Sequence, residues 1–322
     1  MTDTKVLFEG DLELSALSRK QIVLVGYGSQ GRAQALNLRD SGCSPIVAVR
    51  EGKSRRQAVA DGFRPEEMGE AVSRADVVVL LTPDETHSDV CARWVVPNAR
   101  KGMFLGFATG FGVHFGLVDL PDWLRVFLAA PKGPGPVLRA RFEAGGGIPA
   151  LVASLHDDRE ELAVAMAYAR AIGCGRAGVV RTTFREEAVA DLFGEQCVLA
   201  GGMVELMKSA FEVLVRRGFT PEVAYIECVS EVEYMASLIS RVGIAGLEAN
   251  ISSTAFFGGA TRGPRVVDGA VRARLEGMLA EIEDGSFVRE FQKYVAGGKP
   301  SPVSGADLGG LESARSKFKP GE

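Results

Sequence analysis

Short, almost wholly apolar runs alternate with amphipathic stretches along the first 180 or so residues of the chain. The runs are QIVLVGYG (21–28), SPIVAVR (44–50), ADVVVLL (75–81), GMFLGFA (102–108), RVFLAAP (125–131), PALVASL (149–155) and AGVVRTT (177–183). Apolar residues on both parities are what strands buried on both faces of a parallel sheet require. Between them lie segments of helical spacing such as QGRAQALNLRDSG and DREELAVAMAYARAIG. Alternation of this kind predicts a doubly wound α/β domain of the Rossmann type over residues 1–183.

The period changes after residue 183. FREEAVADLFGEQCVLAGGMVELMKSAFEVLVRRG, PEVAYIECVSEVEYMASLISRVG and VRARLEGMLAEIEDGSFVREFQKYVAG all read as helices, and no strand pattern interrupts them. Residues 184–300 are therefore expected to form an all-helical domain. The stretch from 301 to 322 is rich in Gly, Ser and Pro and is expected to be a loose tail.

Composition narrows the function classes. Of 322 residues, 46% are hydrophobic and 24% charged, with a net charge of −4, so no electrostatic footprint for nucleic acid or an anionic membrane is present. No apolar run approaches the ~20 residues of a membrane-spanning helix, and MTDTKVLFEGDLELS is no secretory signal. Five cysteines, Cys43, Cys91, Cys174, Cys197 and Cys228, are scattered without a CxxC pair. They read as reduced thiols of a cytoplasmic protein.

Chemistry enters at GYGSQG, where Gly26, Gly28 and Gly31 form a GxGxxG between the first strand and the first helix. Such glycines permit a tight turn and close backbone approach, and the helix N-terminus receives a pyrophosphate. The second strand ends at Arg50 in the run Arg50-Glu51-Gly52-Lys53-Ser54-Arg55-Arg56. An acid here suits a free ribose 2′-hydroxyl, and cations suit a 2′-phosphate. Arg50, Ser54 and Arg55 point to NADPH, with Glu51 leaving NADH as the alternative. Two pairs of acids, Asp191 with Glu195 and Glu227 with Glu231, stand four apart, each pair on one helix face and set in apolar text. Oxygen donors without histidine or thiolate suit a hard cation, Mg²⁺ above all, the alternative being simple solvent exposure. The fourth strand runs into GFATGFGVHFG (106–116), which delivers Thr109, a hydroxyl that exchanges no proton usefully near pH 7.

Taken together, GYGSQG with ALNLRDSG, LTPDE, the GF…HFG segment, APKGPG, TTF.EE, DLFGEQ, IEC..E, IS.TA and GPRV resemble ketol-acid reductoisomerase in its short form, in order and over nearly the whole chain. The resemblance implies two Mg²⁺ ions on Asp191, Glu195, Glu227 and Glu231, bound between the subunits of a homodimer, each site taking one pair from each chain. It implies Lys132 beside the substrate and Ser252 on the substrate carboxylate. Tyr27, Gly28, Ser29 and Gln30, the loop after Arg50, then Asp84, Glu85, Thr86, His87 and Gly135 would line the NADPH site. The helical half would be the knotted dimerisation domain, with association beyond the dimer left open. The implied reaction couples metal-assisted alkyl migration in a 2-hydroxy-3-keto acid to reduction by NADPH.

The chain departs from the family pattern on the substrate side. Family members read AHGFNIHFG where this chain has ATGFGVHFG, so Thr109 replaces the catalytic histidine and Gly112 an asparagine. Pro136 replaces a histidine, Phe256 a glutamate, and Ala188, Val189 and Ala190 replace polar residues. His114 and His156 offer no replacement, the first reading as structural and the second as surface. A diverged Mg²⁺-dependent NADPH reductase, acting on a ketone or imine-like group of a non-standard substrate, is the main expectation. The alternatives are a true ketol-acid reductoisomerase acting on 2-acetolactate in branched-chain amino-acid biosynthesis, and a non-catalytic NADPH-binding dimer.

Overall fold

The computed structural model describes residues 5–299 and 309–318. All seven apolar runs become strands of one eight-stranded sheet: β2 (Ile22–Val25), β3 (Ile46–Ala48), β4 (Val77–Leu80), β5 (Phe104–Phe107), β6 (Arg125–Pro131), β7 (Ala150–Ser154) and β8 (Val179–Arg181). β1 (Val6–Leu7) is an additional two-residue edge strand, too short to leave a hydrophobic pattern. The order is β1-β8-β7-β6-β5-β4-β2-β3. Alternate residues face opposite layers: Leu24, Val77, Val79 and Phe127 join one core cluster, and Val23, Val25, Val78, Leu80 and Leu128 the other. Both layers are apolar, which is why the strands read as continuous runs.

The sheet is mixed rather than parallel throughout. β3, β2, β4, β5 and β6 run parallel, whereas β7 is antiparallel to β6 and β1 antiparallel to β8. Helix Gly135–Glu143 packs on helix Ser29–Asp40 and brings the chain back to the end of the sheet it left. Lys132 N–H donates to the Pro149 carbonyl at 2.8 Å, so this excursion opens and closes like a hairpin loop. Strand direction of this sort is absent from a hydrophobic pattern.

Two compact units, Met1–Ala190 and Asp191–Glu322, divide the chain. The division falls inside helix Phe184–Gly194 rather than at residue 183, because Phe184, Glu187, Ala188 and Val189 are buried in the first unit. From Phe184 onward every described element is helical. Part of the supposed loose tail is ordered: helix Gly309–Arg315 buries Ala314 beside Phe211 and Ala224, and Phe318 stacks on Tyr225 at 5.5 Å. Residues 300–308 and 319–322 of that stretch lie outside the described residues. All five thiols are unpaired, and no helix among the described residues is long and apolar enough to cross a membrane.

Candidate active site

The chain leaves β2 toward β3 on one side and returns to β4 on the other, which opens a crevice at the carboxyl ends of these strands. GYGSQG turns there. Gly26 has φ +110°, and a Cβ on it would stand 2.6 Å from the Leu81 carbonyl oxygen. A Cβ on Gly31 would stand 2.4 Å from the Gly26 carbonyl oxygen, so strand and helix approach only with glycine at both places. Beside this turn lies a cavity of about 320 Å³ lined by Gly26, Gly28, Arg50, Lys53, Ser54 and Thr82, among others. Its glycine backbone, the N-terminus of helix Ser29–Asp40 and its cationic rim fit a dinucleotide phosphate.

The other cofactor candidates divide between the cavity and its scaffold. Tyr27 lines the cavity, while its phenol donates to Asp61 at 2.9 Å and the residue as a whole is buried. Asp61 also accepts from Arg32 Nε at 2.7 Å and Gln57 at 3.2 Å, and its carbonyl accepts from Arg39. Gln30 donates to the Gly133 carbonyl at 2.8 Å, and a Cβ on Gly135 would strike the Ser29 carbonyl, so these three residues join the cofactor helix to APKGPG. Arg55 is turned into the protein and does not line the cavity. Asp84, Glu85 and Thr86 form a turn in which the Thr86 hydroxyl donates to the Pro83 carbonyl at 2.6 Å. His87 is buried edge-on against Phe107. Its Nε2 stands 3.0 Å from the Thr82 carbonyl, which can only accept, so Nε2 carries the proton. Burial holds its pKa below the usual imidazole range, and Nδ1 has no hydrogen-bond partner among the described residues.

The Asp61 group carries a stability prediction. Arg32, above all, holds the Asp61 carboxyl down at about 2, and desolvation together with Asp61 raises the Tyr27 phenol. A carboxylate depressed on folding stabilises above its unfolded value near 4, and that contribution is lost as pH falls through about 2. Asp61→Asn is expected to cost about 1–2 kcal/mol at pH 7 after allowance for solvent screening. Denaturant midpoints should show the gap to wild type narrowing as pH drops from about 4 to about 2.

At the ends of β5 and β6 a second group of polar side chains converges. Thr109 Oγ accepts from Phe111 N–H at 3.2 Å. The intervening amide, Gly110 N–H, donates to Glu187 at 2.5 Å, and Lys132 Nζ reaches the other oxygen of the same carboxylate at 2.5 Å. Glu187 is fully buried and Lys132 partly so. The resemblance included Glu187 in TTF.EE without giving it a role. Its signal was present: Glu187, Asp191 and Glu195 continue a spacing of four along one helix face. His114 is half-buried against Phe115, with its pKa lowered by burial and by Arg185. His156 lies partly exposed and bonds at 2.7 Å to buried Glu161, which also accepts from Val126 N–H and Ser154.

Both acid pairs straddle a π-helical turn. Helix Phe184–Gly194 carries Asp191 and gives way at Glu195 to the π turn Glu195–Leu199. Glu227 lies in the π turn Ile226–Ser230, and Glu231 opens helix Glu231–Val242. Turns of this type are rare and concentrate at functional positions. Gly201 and Gly202 close the first one. A Cβ on either would stand about 2 Å from the carbonyl oxygen five residues back, closer than any real contact. Asp191 is half-buried, while Glu195, Glu227 and Glu231 are exposed. Among the described residues of one chain, no three Asp, Glu, His or Cys side chains gather to hold a metal. Ser252 is the N-cap of helix Ser253–Val266, its hydroxyl accepting from Ala255 N–H at 3.2 Å.

A glycine turn at the switch point of a Rossmann-type sheet, with a lysine–carboxylate pair at neighbouring strand ends, defines an oxidoreductase that uses a nicotinamide dinucleotide. The family model for the acetohydroxy acid isomeroreductase NADPH-binding domain matches residues 16–178, and that for the ketol-acid reductoisomerase C-terminal domain matches 184–304. The chain belongs to the ketol-acid reductoisomerase family and is an NAD(P)H-dependent reductoisomerase of that family. A ketol-acid reductoisomerase (NADP(+)) of Pyrobaculum calidifontis is 46% identical over 92% of this chain and 91% of its own length. One from Saccharolobus solfataricus is 44% identical over 94% and 91%. The structure of an NADH-preferring ketol-acid reductoisomerase from an uncultured archaeon superposes with a TM-score of 0.93 at 35% identity, covering 97% of this chain and 98% of that one.

Proposed function

We propose that the chain is a working ketol-acid reductoisomerase that converts 2-acetolactate to 2,3-dihydroxyisovalerate with NADPH and Mg²⁺. The Lys132–Glu187–Gly110 group beside Thr109 carries this reading, because it fixes an ammonium at the strand ends where a substrate would meet the cofactor. Relatives of that name at 46% and 44% identity support it further.

When bound, NADPH supplies hydride and Mg²⁺ supplies Lewis-acid polarisation of the ketol oxygens. Arg50, Lys53 and Ser54 are positioned to take a 2′-phosphate, with the pyrophosphate at the start of helix Ser29–Asp40. Asp191 and Glu195 of one copy, with Glu227 and Glu231 of another, would hold two Mg²⁺ ions, since an all-oxygen donor set suits a hard cation. Lys132, oriented by Glu187, offers a fixed positive charge to an anionic substrate. Thr109, oriented by the Phe111 amide, can hold a water or a substrate oxygen in place; it cannot itself take the proton. Ser252 would reach a substrate carboxylate. A second copy is supported by the open apolar surface of the helical unit, where Leu199, Leu206, Tyr234, Ile244 and Phe257 are all exposed.

A second reading, a reductase for a non-standard substrate, keeps one specific support. Thr109 stands where the family has its histidine, and a Cβ at Gly112 would meet Val118 at 2.9 Å, so a side chain there requires Val118 to shift. NADPH oxidation with Mg²⁺ separates the two readings when measured on 2-acetolactate and on the already rearranged 3-hydroxy-3-methyl-2-ketobutyrate. Turnover of both is expected. Turnover of the rearranged acid alone favours the second reading, and silence on both overturns the proposal.

A further inference from the structure

We infer that Arg55 does not bind the cofactor phosphate but selects the cofactor indirectly, by neutralising Glu51. This rests on the cofactor site described under the proposed function and extends it to a residue outside the cavity. Glu51 lines the cavity together with Arg50, Lys53 and Ser54. A carboxylate at the end of the second Rossmann strand accepts a hydrogen bond from a free ribose 2′-hydroxyl and repels a 2′-phosphate. Left to itself, Glu51 would favour NADH.

Arg55, one helical turn later, pairs with Glu51 through Nε at 3.0 Å. Its other nitrogens are committed to the protein: Nη1 donates to the Val49 carbonyl at 3.1 Å and to Glu67 at 3.2 Å, and Nη2 to the Pro65 carbonyl at 3.1 Å. A planar guanidinium fixed at three nitrogens cannot turn to a phosphate without giving up those bonds. The same contacts hold it beside Glu51, only partly exposed. Glu51 itself is mostly exposed, so without this partner its carboxylate is free to swing into the cavity. Arg55 is thus a positioning residue, and the charge that discriminates is that of Glu51.

The test is a double-mutant cycle, with KM and kcat for NADPH and for NADH measured on wild type, R55Q, E51Q and R55Q/E51Q. R55Q is expected to raise KM for NADPH about tenfold and lower KM for NADH about threefold, with kcat moving far less, as suits loss of a coupling in the usual range for contacting charges. R55Q/E51Q should recover most of the lost NADPH affinity. Both variants lack the same backbone bonds, so the ratio of their KM values isolates the charge of Glu51. Should R55Q not fold, the ratio between R55M and R55M/E51Q reads the same charge, since methionine keeps an apolar stem and carries no cation. Equal NADPH KM in R55Q and R55Q/E51Q would mean that the charge of Glu51 does not act on the nucleotide, and would overturn the inference. A wild type that uses neither nucleotide would instead overturn the proposed function.

Discussion

Lys132→Met is expected to lower turnover of acetolactate by about 10²–10³-fold, the usual loss when one preorganised charge is removed from a reacting centre. It should also cost about 3–5 kcal/mol of stability, because it breaks the ion pair that Lys132 makes with the fully buried Glu187. The two effects are separable. Lys132→Met/Glu187→Leu removes the buried carboxylate as well and should regain most of the stability, whereas activity stays lost. Urea midpoints and kcat on the same preparations check both. A Lys132→Met enzyme that turns over normally would remove the ammonium from the proposed chemistry and leave the pair with a purely structural role.

The second large effect concerns the acids. Glu195→Gln and Glu231→Gln are each expected to lower Mg²⁺-dependent turnover by more than about 100-fold, since even outer partners of metal ligands cost 10–100-fold. Stability of each variant should stay within about 0.5 kcal/mol of wild type, because both residues are exposed. Loss of activity without loss of fold is the signature of a ligand. Raising Mg²⁺ should restore part of the rate if affinity alone is impaired, which titration of kcat against the ion would show.

The sheet was legible because β2, β4 and β5 are buried on both faces, and two-sided burial writes itself as an unbroken apolar run. The antiparallel entry of β7 was not, since side-chain period carries no direction and the reversal depends on helix Gly135–Glu143 packing on helix Ser29–Asp40. Helix Gly309–Arg315 hid in a segment whose Gly, Ser and Pro content argues for disorder; burial of Ala314 beside Phe211 decides otherwise. In the site, the glycine turn and the acid pairs stood out because their spacing is itself the signal. Glu187 did not, although it continues the same spacing: its role depends on a lysine 55 positions earlier in the chain. The surroundings of Arg55 were hidden for the converse reason. Sequence position places it beside Arg50, Lys53 and Ser54, but carbonyls of Val49 and Pro65 draw its guanidinium into the protein.

The central claim is that a working site takes Asp191 and Glu195 from one chain and Glu227 and Glu231 from a second, and mixing two dead variants tests it most directly. Glu195→Gln and Glu231→Gln chains are unfolded together, refolded, and assayed for NADPH oxidation on acetolactate. In a two-fold dimer with shared sites, half of the random pairs are hybrids, and each hybrid carries one doubly damaged site and one intact one, so about a quarter of wild-type activity returns. If each chain instead builds its site from its own four acids, no hybrid contains an intact site, and the mixture stays as inactive as its parents.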